Sequence, residues 1–213
     1  MRGLLAMVGK ELRVYFTSPM AYVVIAVFLL INGYLFYNIV LFTINQSMQL
    51  IRLQGAMPQI NANELIFRPV FHNMAVIMIL TLPMLTMRLL AEEKKVKTAE
   101  LLMTSPISII EILLGKYLAA FLIFAVMLLL TGFMPALMEL YGKLQWGSIL
   151  TGYLGLLMLG GVFLSFGLLA SSLTENQIIA GFVGFGLLLL LWLMGWASQG
   201  AGDTALGSVL SYL

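Results

Sequence analysis

Gly115-Lys116 has the residue types of a loop that cradles nucleotide phosphates, but it fails on spacing. Such a loop needs another glycine five residues upstream and a Ser or Thr directly after the lysine. Here those positions hold Ile110 and Tyr117. The chain therefore does not bind and hydrolyse ATP in that manner. Acid–base and nucleophilic chemistry are no better supplied, because there is one histidine, His72, and no cysteine. No catalytic residue, metal ligand set or cofactor site is assigned on that basis. His72, at the end of an apolar run, is the kind of histidine that makes interfacial hydrogen bonds.

The chemistry the chain does carry is electrostatic and confined to one place. Arg88, Glu92, Glu93, Lys94, Lys95, Lys97 and Glu100 fall within 13 consecutive positions, between long runs almost free of charge. A short polar segment pinned between two apolar ones must lie in water at a membrane surface. Good helix formers predict a helix from Ala91 to Met103, with Glu93 four residues before Lys97 in the favourable order for an ion pair. Thr104-Ser105-Pro106 ends it, since the residue before proline is pushed out of the α region. Ser105 then caps the next helix, with Pro106 at its first position. Two uses fit this helix–corner–helix: a loop whose lysines set membrane topology, or a contact through which something outside the membrane acts on what lies inside it.

The elements that hold this block are read from composition. Of the 213 residues 62% are hydrophobic and 9% charged, with a mean hydropathy of +1.04, against about 45–50% and about 25% for a globular domain. The fold class is an all-α integral membrane protein of one domain. The net charge of +2 suggests no nucleic-acid partner; the lipid bilayer is the expected one. Since about 20 apolar residues cross a bilayer, five spans are expected at 20–40, 71–90, 109–138, 150–173 and 178–196. Pro83 should kink the second. Residues 42–69 read as a polar external connector with short interfacial helices. Small residues crowd the fourth span, where Gly161 to Ser165 has small-xxx-small spacing, suited to intrachain packing or less well to a dimer face.

Residues 1–18 form an amphipathic helix on the interface. Leu4, Leu5, Val8, Leu12, Tyr15 and Phe16 make one face, and Arg2, Lys10 and Arg13 anchor the other to headgroups. With the N-terminus in the cytosol, eight basic residues face inward and Arg52, Arg68 and Lys143 outward, which satisfies the positive-inside rule. No Asp, Glu, Lys or Arg lies deep in a span, which speaks against a proton- or ion-coupled transporter.

EEKKVKTAELLMTSPISIIEILLGKYLA, residues 92–119, resembles the cytosolic motif of permease subunits of ATP-binding-cassette exporters of the type-2 class. KELRVYFTSPMAYVVIAVFLL, residues 10–30, is similar to the opening of that family, in particular of gliding-motility permeases. The resemblance implies that residues 91–106 are a coupling helix docking on a separate ATPase subunit, which binds the ATP and magnesium. The docking residues it implies are Glu92, Glu93, Lys97, Thr98, Glu100, Leu101, Leu102, Thr104, Ser105 and Pro106, with Arg88, Lys94 and Lys95 left to topology or lipid headgroups. It also implies a second permease, in a homo- or heterodimer, and a place in the cytoplasmic membrane of a bacterium or archaeon. The function implied is export of an unidentified substrate, or else an ATP-driven mechanical part that moves no solute. The N-terminal helix is either a passive anchor or a connecting helix that also touches the ATPase. A sixth membrane helix belongs where residues 198–213 run, and these leave no room for it, so the chain is expected to be one span short.

Overall fold

The computed structural model describes residues 2–54, 61–98 and 108–200, and among these every regular element is helical. Helix α1 covers Arg2–Thr17 and α2 covers Pro19–Gln54. Ser18 separates them, as expected of a residue that precedes proline. The 36 residues of α2 run to about 54 Å, well beyond a hydrocarbon core of about 30 Å. The helix therefore continues past residue 40, and the expected connector at 42–69 begins as helix. The reason is local: residues 41–54 contain no glycine or proline, and the first breakers are Gly55 and Pro58.

After a π-helical turn at Asn63–Phe67, α3 runs from Arg68 to Thr86. Pro83 lies buried inside α3, and the helix continues past it for three residues. A short α4, Ala91–Lys95, follows. Helix α5, Ile109–Thr131, and α6, Phe133–Glu139, join at Gly132. Helices α7, Trp146–Ser172, and α8, Gln177–Gly200, complete the described chain. Among the described residues five stretches are long and apolar enough to cross a membrane: Pro19–Arg52, Asn63–Lys95, Ile109–Glu139, Trp146–Ser172 and Gln177–Ala197.

Helix α3 is the hub, packed on α2, α7 and α8 and touching α5, while α7 also packs on α5 and α8. Their shared core contains Phe28, Met74, Met78, Leu82, Phe124, Met127, Leu164 and Leu188, all fully buried. Glycines in α7 permit this closeness. A Cβ on Gly160 would lie 2.1 Å from the Phe124 ring, and one on Gly167 would lie 2.1 Å from Thr86 Oγ1. Gly161 accepts a hydrogen bond from the Tyr117 hydroxyl at 3.1 Å through its carbonyl, so this stripe packs within the chain. Large apolar side chains such as Leu30, Phe42, Leu129, Leu154 and Phe182 point outward, as in a bundle surrounded by lipid.

Connectivity gives the bundle two unlike ends. One gathers α1, the α3–α4 elbow, the start of α5 and the α7–α8 turn. At the other, the Asn63 amide donates to the Gln145 carbonyl at 2.9 Å and accepts from the Gln145 N–H at 3.4 Å, latching the π-helical turn to the start of α7.

Candidate functional site

The charged segment folds as an elbow rather than as the single helix expected from 91 to 103. Regular α3 ends at Thr86, a turn follows, and α4 ends after five residues at Lys95. Its stop is a Schellman motif: Thr98 N–H donates to the Glu93 carbonyl at 3.0 Å and Lys97 N–H to the Lys94 carbonyl at 3.1 Å. Lys97 takes the left-handed position of that motif, with φ of 57°, which glycine ordinarily fills. The Thr98 hydroxyl adds a second bond to the Glu93 carbonyl at 3.3 Å. The expected ion pair between Glu93 and Lys97 is absent, because the chain turns away between them.

The elbow is tied to its surroundings on three sides. On the α7 side, Ser171 Oγ accepts from the N–H groups of Leu90 and Ala91 at 3.0 and 3.1 Å. The same hydroxyl donates to the Met87 carbonyl at 3.1 Å. It thereby satisfies donors that a helix start leaves unpaired. Lys94 donates to the Ser172 carbonyl beside it.

On the α2 side, the Arg88 guanidinium forks onto Glu92, Nε to Oε2 at 2.9 Å and Nη2 to Oε1 at 3.1 Å, while Nη1 reaches Ser18 Oγ at 2.9 Å. Tyr15 of α1 donates its hydroxyl to the Leu85 carbonyl at 2.9 Å. Burial, reinforced by the nearby Glu11 carboxylate, pushes this phenol's pKa well up, so it stays a neutral donor.

The third side is a ring of four charges. Lys116 of α5 places its ammonium 2.9 Å from Glu11 Oε1 of α1 and 2.9 Å from Glu93 Oε1 of the elbow. Lys10 of α1 stands 3.7 Å from the same Glu11 oxygen and 3.3 Å from the same Glu93 oxygen. The Lys116 side chain is 2% exposed, against 8% for Glu11 and 15% for Glu93. A buried ammonium is tolerated only when paired and hydrogen-bonded, and two carboxylates meet that need here.

Local sequence explains how the ring closes. Helix α5 opens with a capping box, the Ser108 side chain accepting from Glu111 N–H and the Glu111 carboxylate accepting from Ser108 N–H. The cap of this described helix is thus Ser108, while the expected cap Ser105 and Pro106 lie outside the described residues. One turn further on, a Cβ at Gly115 would lie 2.7 Å from the Met7 side chain. The missing side chain lets α1 press on α5 and brings Glu11, a turn after Met7, onto Lys116. The N-terminal helix therefore buries Met7 and Glu11, while Leu5 and Phe16 of its expected apolar face are exposed. Packing on α5 has rotated it from the face expected at a bare interface.

The expected docking residues divide accordingly. Glu92 and Glu93 are turned into pairs within the chain, and Lys97 and Thr98 form the elbow's stop. Glu100, Leu101, Leu102, Thr104, Ser105 and Pro106 lie outside the described residues, as does the side chain of Arg2. Of the expected interfacial anchors, Arg13 is exposed and Lys10 belongs to the ring. Lys116, counted from sequence only as a topological charge, proves to be the centre of the site. Lys95, Val96 and Lys97 form its exposed tip.

Among the described residues no three metal-ligating side chains come together. The family of ABC-2 family transporter proteins matches this chain over residues 5–210. No curated protein and no solved structure matched it. A match over nearly the whole length, on a bundle of five membrane-length helices with a charged elbow at one end, establishes that the chain belongs to the ABC-2 transporter family, as the membrane permease subunit of an ABC transporter.

Proposed function

We propose that this permease subunit takes up ATP-driven motion at the elbow and uses it to export a substrate across the cytoplasmic membrane of a bacterium or archaeon. The ATPase subunit docks on the cytosolic side, to which the eight-to-three distribution of basic residues assigns the elbow and the N-terminus. The observation that carries this reading is the elbow's bonding: a segment of about a dozen residues is fixed by charged or hydrogen-bonded contacts to α1, the α1–α2 junction, α5 and α7. A passive topogenic loop has no need of such anchorage, whereas a lever must be fixed to what it moves.

The docking face begins at Lys95, Val96 and Lys97, with an exposed apolar side chain between two cations, and the resemblance adds Glu100, Leu101, Leu102, Thr104, Ser105 and Pro106 to it. Leucines and Val96 would fill a pocket on the ATPase and the charges would set register. Pro83, buried three residues before the end of the regular α3 ladder, gives the second span a place to bend when the elbow is pushed. Two permeases, alike or different, would work over a pair of ATPase subunits.

The test is co-purification with the co-expressed ATPase subunit. Lys95→Glu, Val96→Asp and Lys97→Glu together should release the ATPase while the permease still inserts in the membrane. An unchanged complex would remove the docking assignment. A purely mechanical role is favoured only by the likeness of residues 10–30 to gliding-type permeases. ATPase activity without solute flux in reconstituted vesicles would support it over export.

A further inference from the structure

We propose that Lys116 is the positioning residue through which the elbow moves α5, and that Glu93 passes from Lys116 to Lys10 as it does so. This inference rests on the docking of an ATPase subunit at the elbow and adds the joint through which that motion reaches a membrane span.

The ring alternates in sign around its circuit, Lys116 to Glu11 to Lys10 to Glu93 and back. Glu93 Oε1 lies 2.9 Å from the Lys116 ammonium and 3.3 Å from that of Lys10, so one carboxylate oxygen faces two cations. Glu11 Oε1 likewise lies 2.9 Å from Lys116 and 3.7 Å from Lys10. The two cations differ in setting. Lys116 is 2% exposed and fixed on α5, whereas Lys10 is 50% exposed at the end of a long, flexible side chain.

Pulling Glu93 from a buried ammonium ordinarily leaves an uncompensated charge, which locks an ion pair shut. Here no charge is stranded. If the elbow shifts outward, Glu11 still pairs with Lys116 and Lys10 follows Glu93 toward solvent. The elbow thus has an engaged arrangement, Glu93 on Lys116, and a released one, Glu93 on Lys10, with all four charges compensated in each. Gly115 keeps α1 pressed on α5, so Glu11 and Lys116 remain together while Glu93 moves. Two discrete arrangements of this kind are what coupling between distant sites requires.

The chain has no cysteine, so label pairs can be introduced without prior substitution. Spin labels at Phe42 on α2 and Leu129 on α5, both exposed, report movement of α5 in the complex with the ATPase subunit. The unmodified ring should give a shift in label distance between the nucleotide-free and ATP-trapped complexes. Lys116→Met should leave the ATPase bound and abolish the shift, while Lys116→Arg, which keeps both carboxylates paired, should retain it. Glu93→Gln leaves the Lys116–Glu11 pair intact and should also lose the shift, which decides the matter if Lys116→Met fails to insert. Lys10→Met should keep the complex but hold Glu93 on Lys116 and lose the shift. A wild-type shift in an intact Lys116→Met or Glu93→Gln complex overturns the proposal, as does a wild-type complex with no shift. Failure of the unmodified permease to bind the ATPase would instead overturn the docking reading beneath it.

Discussion

Gly167→Ala should weaken the bundle sharply, because the added methyl has nowhere to go. An alanine Cβ there would lie 2.1 Å from Thr86 Oγ1, 2.8 Å from its Cβ and 3.0 Å from its Cγ2. Thr86 is 1% exposed, and its hydroxyl donates to the Leu82 carbonyl at 3.1 Å. A β-branched side chain in a helix has few other rotamers to adopt, so α3 and α7 must separate. Overpacking of this kind costs about 1–3 kcal/mol, and three contacts on one rigid side chain place it at about 3 kcal/mol within that range. Thr86→Ala removes two of the three atoms, so Gly167→Ala with Thr86→Ala should recover more than half of the loss. The assay is unfolding in mixed micelles, followed by the fluorescence of the three tryptophans. A Gly167→Ala protein within about 0.5 kcal/mol of the parent, the scatter of ordinary surface changes, would refute the close α3–α7 contact. So would a double variant no more stable than the single one.

Ser171→Ala leaves the Leu90 and Ala91 N–H groups and the Met87 carbonyl without their partner. It should cost about 2 kcal/mol, with faster hydrogen exchange at those two amides as the specific readout. Lys97→Gly relieves a left-handed backbone in a lysine and should stabilise the elbow by about 1 kcal/mol, measured as slower exchange at the Thr98 amide. Tyr15→Phe removes the bond to the Leu85 carbonyl and should cost about 1 kcal/mol in the same unfolding assay.

The fold class was legible because a bilayer leaves the chain few choices: long apolar runs without charge must be spanning helices. The length of α2 was harder to see, since Asn45, Gln46 and Gln49 look like a loop by polarity yet nothing among them breaks a helix. The elbow was legible as a concentration of charge, and its shape was not. Helix formers continue past Lys95, and the stop depends on a lysine adopting the conformation normally given to glycine. That choice is made by tertiary contacts around Glu93 and Ser171 rather than by propensity.

The ring was missed for a related reason. Lys116 satisfies the positive-inside count wherever its side chain points, so the count conceals its burial. A signal was present in Glu11, an acid at the same helical face as Met7, Val8 and Tyr15, and in Lys116, alone in an apolar run after Glu111. An isolated charge on each of two apolar helix faces, opposite in sign, is a pattern that asks for pairing.

The central claim is that the elbow lies on the side of the membrane where ATP is spent and is covered there by the ATPase subunit. A single cysteine at Val96, exposed at the tip of the elbow, tests it through labelling with a membrane-impermeant maleimide. Labelling is expected in inside-out vesicles, none in intact cells, and protection when the ATPase subunit is bound. Labelling of Val96→Cys from the outside of intact cells would contradict it.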